Sequence, residues 1–151
     1  MISFKKILLP TDLSSNSDAA APYAIELARR DGGQIQLLHV FEDLVFYPLP
    51  IAESPVAVDF SDFIKGSHAD RVTALGTRAE ALAKDSGVTV VPVILRGHPV
   101  QELVKYAKSE HIDCIVIATH GRTGAPHLFY GSVAERVVRE SPCPVLSVRP
   151  K

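Results

Sequence analysis

Thiols, surplus charge and long apolar runs are all scarce in this sequence, and each scarcity removes a class of protein. Cys114 and Cys143 are the only cysteines among 151 residues, too few for a disulfide scaffold and without the grouped spacing of a metal site. Cys114 lies inside an apolar run and Cys143 between Pro142 and Pro144, so both read as ordinary reduced residues. Sixteen lysines and arginines face 17 aspartates and glutamates, which leaves no basic footprint for a nucleic acid. The six histidines lack the paired spacing of a zinc site. The opening apolar stretch is too brief for a signal-peptide core, and no segment approaches membrane-spanning length. The expected setting is therefore the cytoplasm, without membrane or nucleic-acid partners. Three catalytic or binding signatures are also missing: the Gly-Lys-Ser/Thr end of a P-loop, the three-glycine dinucleotide fingerprint and the Gly-x-Ser-x-Gly elbow.

What is present is a hydrophobic content of 46%, enough for one filled core and one domain over residues 1–151. Apolar segments at 4–10, 34–41, 88–95, 113–118 and 144–148 read as strands. Helical spacing separates them. Ala21, Ala24, Ile25 and Ala28 mark a first helix ended by Gly32-Gly33, with Pro22 bending or delaying its first turn. Val72, Leu75, Ala79, Leu82 and Ala83 mark a face of a second, ended by Gly87. In a third, Pro99 stands at the first position, followed by Val100, Leu103, Val104 and Ala107. A fourth opens at Gly131-Ser132, with Val133, Val137 and Val138 expected inward. Pro48, Pro50 and Pro55 make residues 42–61 a long apolar flap, neither helix nor strand, that packs on its own domain or a partner.

Strands alternating with helices imply right-handed crossovers and a parallel, doubly wound α/β sheet with helices on both faces. Proline cannot donate within a central ladder, so Pro92 puts the third strand at an edge. The expected order of the five strands is then 3-2-1-4-5. Ligands of such sheets sit beyond the carboxyl ends of the strands where the winding reverses. Here that means the loops after Pro10 and after Ala118.

Those two loops hold the most chemically pointed residues. The first reads Pro10-Thr11-Asp12-Leu13-Ser14; the second runs through Thr119, His120, Gly121, Arg122, Thr123 and Gly124 to Gly131-Ser132. Glycine permits close approach of backbone to phosphate oxygens, and a helix beginning near Ser132 offers N–H groups and a favourable dipole. Asp12 either accepts a hydrogen bond from a nucleotide base or ribose, helps hold a metal on its phosphates, or simply caps the turn that follows. Ser132 either adds its hydroxyl to phosphates or caps its own helix.

The segments Lys6-Ile7-Leu8-Leu9-Pro10-Thr11-Asp12, His120-Gly121-Arg122-Thr123-Gly124 and Gly131-Ser132-Val133-Ala134-Glu135-Arg136-Val137, with Pro142-Cys143-Pro144-Val145-Leu146, together resemble the universal stress proteins over nearly the whole chain. ATP-binding members carry glycine, two residues, glycine, nine residues, then glycine and a hydroxyl residue. Gly121, the nine residues after it and Gly131-Ser132 fit, whereas Ala118 stands at the first glycine. The resemblance implies an adenine nucleotide alpha hydrolase-like fold and ATP, with or without Mg, or AMP or ADP, as ligand. Asp12 and the backbone of Val40 would meet adenine. Gly121, Gly131, Ser132 and Val133 would hold ribose and phosphates, with Pro10, Thr11, Ala118, Thr119 and His120 around them; Mg would reach Asp12 on the nucleotide. Ala134 lacks a hydroxyl that some members use. The resemblance further implies a homodimer through the edge strand 144–148, independently expected because an edge needs pairing or protection, and a stress-response role exerted on a protein partner. A slow ATPase and a nucleotide-free, chaperone-like dimer are the competing functions.

Overall fold

The computed structural model of the chain describes residues 1–42, 61–120 and 132–151. In chain order it contains β1 (Lys6–Pro10), α1 (Ala21–Asp31), β2 (Gln34–Phe41), α2 (Ser61–Ser86), β3 (Thr89–Arg96), α3 (Pro99–Ser109), β4 (Cys114–Ala118), α4 (Ser132–Glu140) and β5 (Val145–Val148). The flap expected over 42–61 lies, apart from its end residues, outside the described residues. The five strands form one parallel sheet in the order β3-β2-β1-β4-β5.

Alternation along the strands builds two cores. Ile7 and Leu9 of β1, Ile35 and Leu37 of β2, and Val116 of β4 face α1 and α2. Leu8, Leu38, Ile115 and Ile117 face α3 and α4. All five residues of β4 are buried, as a strand covered on both faces requires. Each fully buried aliphatic side chain here stabilises the fold by about 2 kcal/mol. Pro92 sits in β3, at one edge of the sheet, opposite Leu37.

The ends of α1 follow from its sequence. A 3-10 turn at Ser17–Ala20 precedes it and Pro22 falls in its first turn, where a missing donor costs little. Gly32 then terminates it at φ 63, donating to the carbonyl of Ala28, a left-handed cap that glycine adopts without strain. Two expected inward residues are corrected. Val72 and Val138 are 44% and 47% exposed. In α2 the buried residues Leu75 and Ala79 begin one turn after Val72, which keeps their spacing but stands before the covered stretch. In α4 the buried line runs through Ala134 and Val137, one step of about 100° away from Val138.

Candidate functional site

A cavity of about 340 Å³ opens at the carboxyl ends of β1 and β4, where the two halves of the sheet diverge, and its size suits a small ligand. Pro10, Thr11 and Asp12 line it from β1, and Val40 from the end of β2. Ala118, Thr119 and His120 line it from β4, and Ser132 and Val133 from the start of α4. Gly121 and Gly131 lie outside the described residues, as do Arg122, Thr123 and Gly124. Leu38, Leu103 and Ile117 supply apolar wall. Polar lining comes from the two loops, from Ser17, from Ser132 at the start of α4, and from His39 and Glu42 around the end of β2.

Ser132, Val133 and Ala134 all border this space. They are the first three residues of α4, and first-turn N–H groups have no intrahelical acceptor. The positive end of a helix dipole is therefore applied to one side of the cavity. Ala118 ends β4 and is 8% exposed. Among the described residues only Leu13 and His111 combine a side chain with positive φ, so alanine at 118 costs nothing in backbone conformation. Its methyl group occupies space in the wall.

The loop after β1 is held by a dense set of bonds. Asp12 Oδ1 accepts from the Ser14 N–H at 3.0 Å and from the Ser14 hydroxyl, so Asp12 shapes the turn as well as lining the cavity. Thr11 is held at every polar atom. Its N–H donates to the Leu38 carbonyl at 2.9 Å. Its Oγ1 accepts from the Leu13 N–H at 3.0 Å and from Arg78 at 3.1 Å, which leaves its own proton for Ser17 Oγ at 2.9 Å. Ser17 in turn donates to the Ser14 carbonyl at 2.7 Å. The Thr11 carbonyl meets His39 Nδ1 at 2.9 Å.

A carbonyl only accepts, so His39 Nδ1 carries the proton and Nε2 is left to accept from Arg71 at 3.1 Å. His39 is accordingly neutral, and it is 4% exposed. Leu13 stands at φ 66, a left-handed conformation that costs an ordinary side chain about 1 to 2 kcal/mol. Arg78 offsets this by donating to the Leu13 carbonyl at 3.2 Å and pairing with Asp18 at 3.2 Å. Its side chain is only 25% exposed, so this network is less screened than a surface pair.

His39, Ser17, Arg71 and Arg78 were not among the residues the sequence marks. The available signal was on α2: Arg71 and Arg78 share the helix face that carries Leu75 and Ala79, where a solvated cation has no place. On the other rim, Thr119 Oγ1 and His120 Nδ1 are 2.9 Å apart, and the Thr119 N–H donates to the Val148 carbonyl. The loop of β4 is thereby tied to the edge strand β5. Among the described residues no group of three His, Cys, Asp or Glu side chains is placed to hold a metal.

Comparison with known proteins decides the family. The sequence profile of the universal stress protein family matches residues 3–149. The chain belongs to that family. A universal stress protein of Methanocaldococcus jannaschii is 33% identical over 97% of this chain and 82% of its own. The universal stress protein UspA from Lactobacillus plantarum superposes with a TM-score of 0.81 at 27% identity, over 97% of this chain and 99% of its own. A universal stress protein family protein from Arabidopsis thaliana, solved with AMP bound, has a TM-score of 0.66 at 21% identity, over 97% of this chain and 92% of its own. As in these universal stress proteins, the chain's fold is a five-stranded parallel sheet flanked by helices. No described helix is long and apolar enough to cross a membrane.

Proposed function

We propose that this universal stress protein binds ATP, or a related adenine nucleotide such as AMP or ADP, between the loops after β1 and β4. Occupancy of that crevice would regulate its association with a protein partner in the cytoplasm. The observation carrying this reading is the cavity itself. Two loops far apart in sequence meet there, one bearing Asp12 and the other leading to the N-terminal turn of α4. The apolar wall suits a flat base, and the backbone of Val40 with the Asp12 carboxylate suits its polar edge. Ser132 and the α4 dipole suit phosphates, joined by Gly121 and Gly131. Asp12, with Glu42 the other carboxylate on the lining, is a sparse donor set matching Mg²⁺ that arrives on the phosphates and keeps most of its waters. The AMP bound to the Arabidopsis relative supports the same ligand class.

The chain would act as one domain and as a homodimer through residues 144–148. There β5 forms the edge of the sheet and Leu146 is 37% exposed. Regulation would come from differential binding to two states rather than from turnover. Equilibrium titration of freshly refolded, ligand-stripped protein with ATP tests the reading. Saturable binding is expected, and its absence at millimolar nucleotide overturns it. A bulky residue in place of Gly131 should weaken binding while leaving fold and dimer intact.

A further inference from the structure

We propose that α2 acts on the candidate site through Thr11: Arg78 directly, and Arg71 by way of His39, are positioning residues that couple nucleotide occupancy to the docking of this helix. The inference rests on the adenine-nucleotide reading and adds to it a route by which occupancy reaches a surface helix. Neither arginine lines the cavity, whereas Thr11 does. Arg78 contacts the Thr11 hydroxyl, and Arg71 contacts the imidazole that donates to the Thr11 carbonyl. Two side chains of one helix therefore converge on opposite polar groups of the residue immediately before Asp12.

The geometry of α2 makes this a rigid linkage. Positions 71 and 78 lie two helical turns apart on the same face. Between them Leu75, 2% exposed, anchors the helix in the core against β1 and β2. Arg71 is further fixed over the Phe41 ring, 4.9 Å from its centroid, and the opposite constraint on that ring is His68, edge-on at 5.6 Å. The histidine link is directional. Nδ1 donates to Thr11 and Nε2 accepts from Arg71, so the imidazole transmits position only as the Nδ1–H tautomer.

Arg78 also supports the strained Leu13. Without it, the turn that orients Asp12 loses its charge-assisted partner. A ligand that fixes Asp12 must then stabilise the docked α2, and the docked α2 must tighten the ligand by the same factor.

The test is ATP titration of the whole chain as wild type, Arg78→Ala, Arg78→Lys and Arg71→Ala, each checked for thermal unfolding. Arginine Nε and histidine ring nitrogen signals are followed by NMR. Arg78→Ala should weaken ATP binding about tenfold, as Thr11, Leu13 and Asp18 lose the charged partner they share. Arg78→Lys, which keeps the charge but not the two-pronged reach, should fall between it and wild type. Arg71→Ala should leave the Nδ1 proton donated to the Thr11 carbonyl but remove the Arg71 donor from Nε2, shifting the His39 ring-nitrogen signals and weakening ATP binding less than Arg78→Ala does. In the wild type, ATP should shift the Nε signals of Arg71 and Arg78 although neither lines the cavity. Variants that melt earlier yet bind ATP as the wild type does would overturn the proposal, as would Nε signals unmoved at saturation. If the wild type binds no ATP, the nucleotide reading falls and this coupling falls with it. Amide exchange over residues 11–14 of the ligand-free chain then reports the clamp by itself, faster in Arg78→Ala if it holds this loop and unchanged if it does not.

Discussion

At the N-terminal end of the strands, two carboxylates close the chain upon itself. Asp31 accepts the Phe4 N–H, and Asp113 accepts those of Lys5 and Lys6 at 2.9 and 2.8 Å. Gly33 lies so near the Phe4 and Lys5 carbonyls that a methyl group would sit 2.7 Å from each. At the C-terminal end, comparable donors and acceptors serve the loop after β1 instead, and His39 and Ser17 themselves line the space beside Thr11. Arg78, His39 and Ser17 fasten Thr11, and the space in front of Thr11 stays open. The difference is whether polar side chains satisfy the strand ends themselves or the loops that follow them. The first arrangement yields stability; the second yields a shaped hollow.

This contrast predicts substitutions that separate folding from binding. Gly33→Ala forces a side chain against backbone that cannot swing away, and should cost about 2 to 3 kcal/mol in urea unfolding. The folded fraction should bind nucleotide normally. Asp113→Ala removes one acceptor from two backbone donors and should cost about 1 to 2 kcal/mol, again sparing affinity. Ser17→Ala interrupts the chain from Thr11 to the Ser14 carbonyl and should cost about 1 kcal/mol. Here ATP affinity should fall as well; unchanged affinity would break the contrast.

Two smaller effects sharpen it. Ala118→Gly should lower stability by about 0.5 to 1 kcal/mol, the penalty for glycine inside a strand, while ATP titration shows tighter binding as the methyl leaves the wall. At the N-terminal end of β4, burial first, and then the nearby Cys143, raises the pKa of Cys114. A thiol raised on folding contributes stability that is full below its unfolded pKa and lost as pH climbs through the folded value. A pH series of urea midpoints should therefore decline in the alkaline range, and more gently in Cys114→Val. Thiol alkylation should reach Cys143 before buried Cys114.

The sheet was legible because its signals are local or categorical. The apolar run of β4, Pro92 and Gly32 each announce a position without reference to a distant partner. The strand order followed from them, and with it the place of the cavity. Val138 misled because an apolar residue one step off a helix's buried line looks the same in sequence as one on it, and Val72 because it keeps the helical spacing of Leu75 and Ala79 yet stands one turn before them. The contacts of Arg71, Arg78, His39 and Ser17 depend on distances that form only after folding. Arg78 and Thr11 are 67 residues apart, and an arginine on a helix ordinarily belongs to solvent. Asp12 showed the limit of the motif, since it both faces the cavity and holds the Ser14 turn.

The order β3-β2-β1-β4-β5 also has a consequence for biosynthesis. The two walls of the cavity end neighbouring strands, yet α1, β2, α2, β3 and α3 are made between them. A ribosome delivers Asp12 early and Thr119 late, and the pairing of β1 with β4 must close that long loop. Ligand can reward only a chain in which this closure has occurred, because mass action stabilises whichever state binds. A nucleotide arriving at this crevice would therefore act as an inspector of newly made protein, bound by finished sheets and ignored by partial ones.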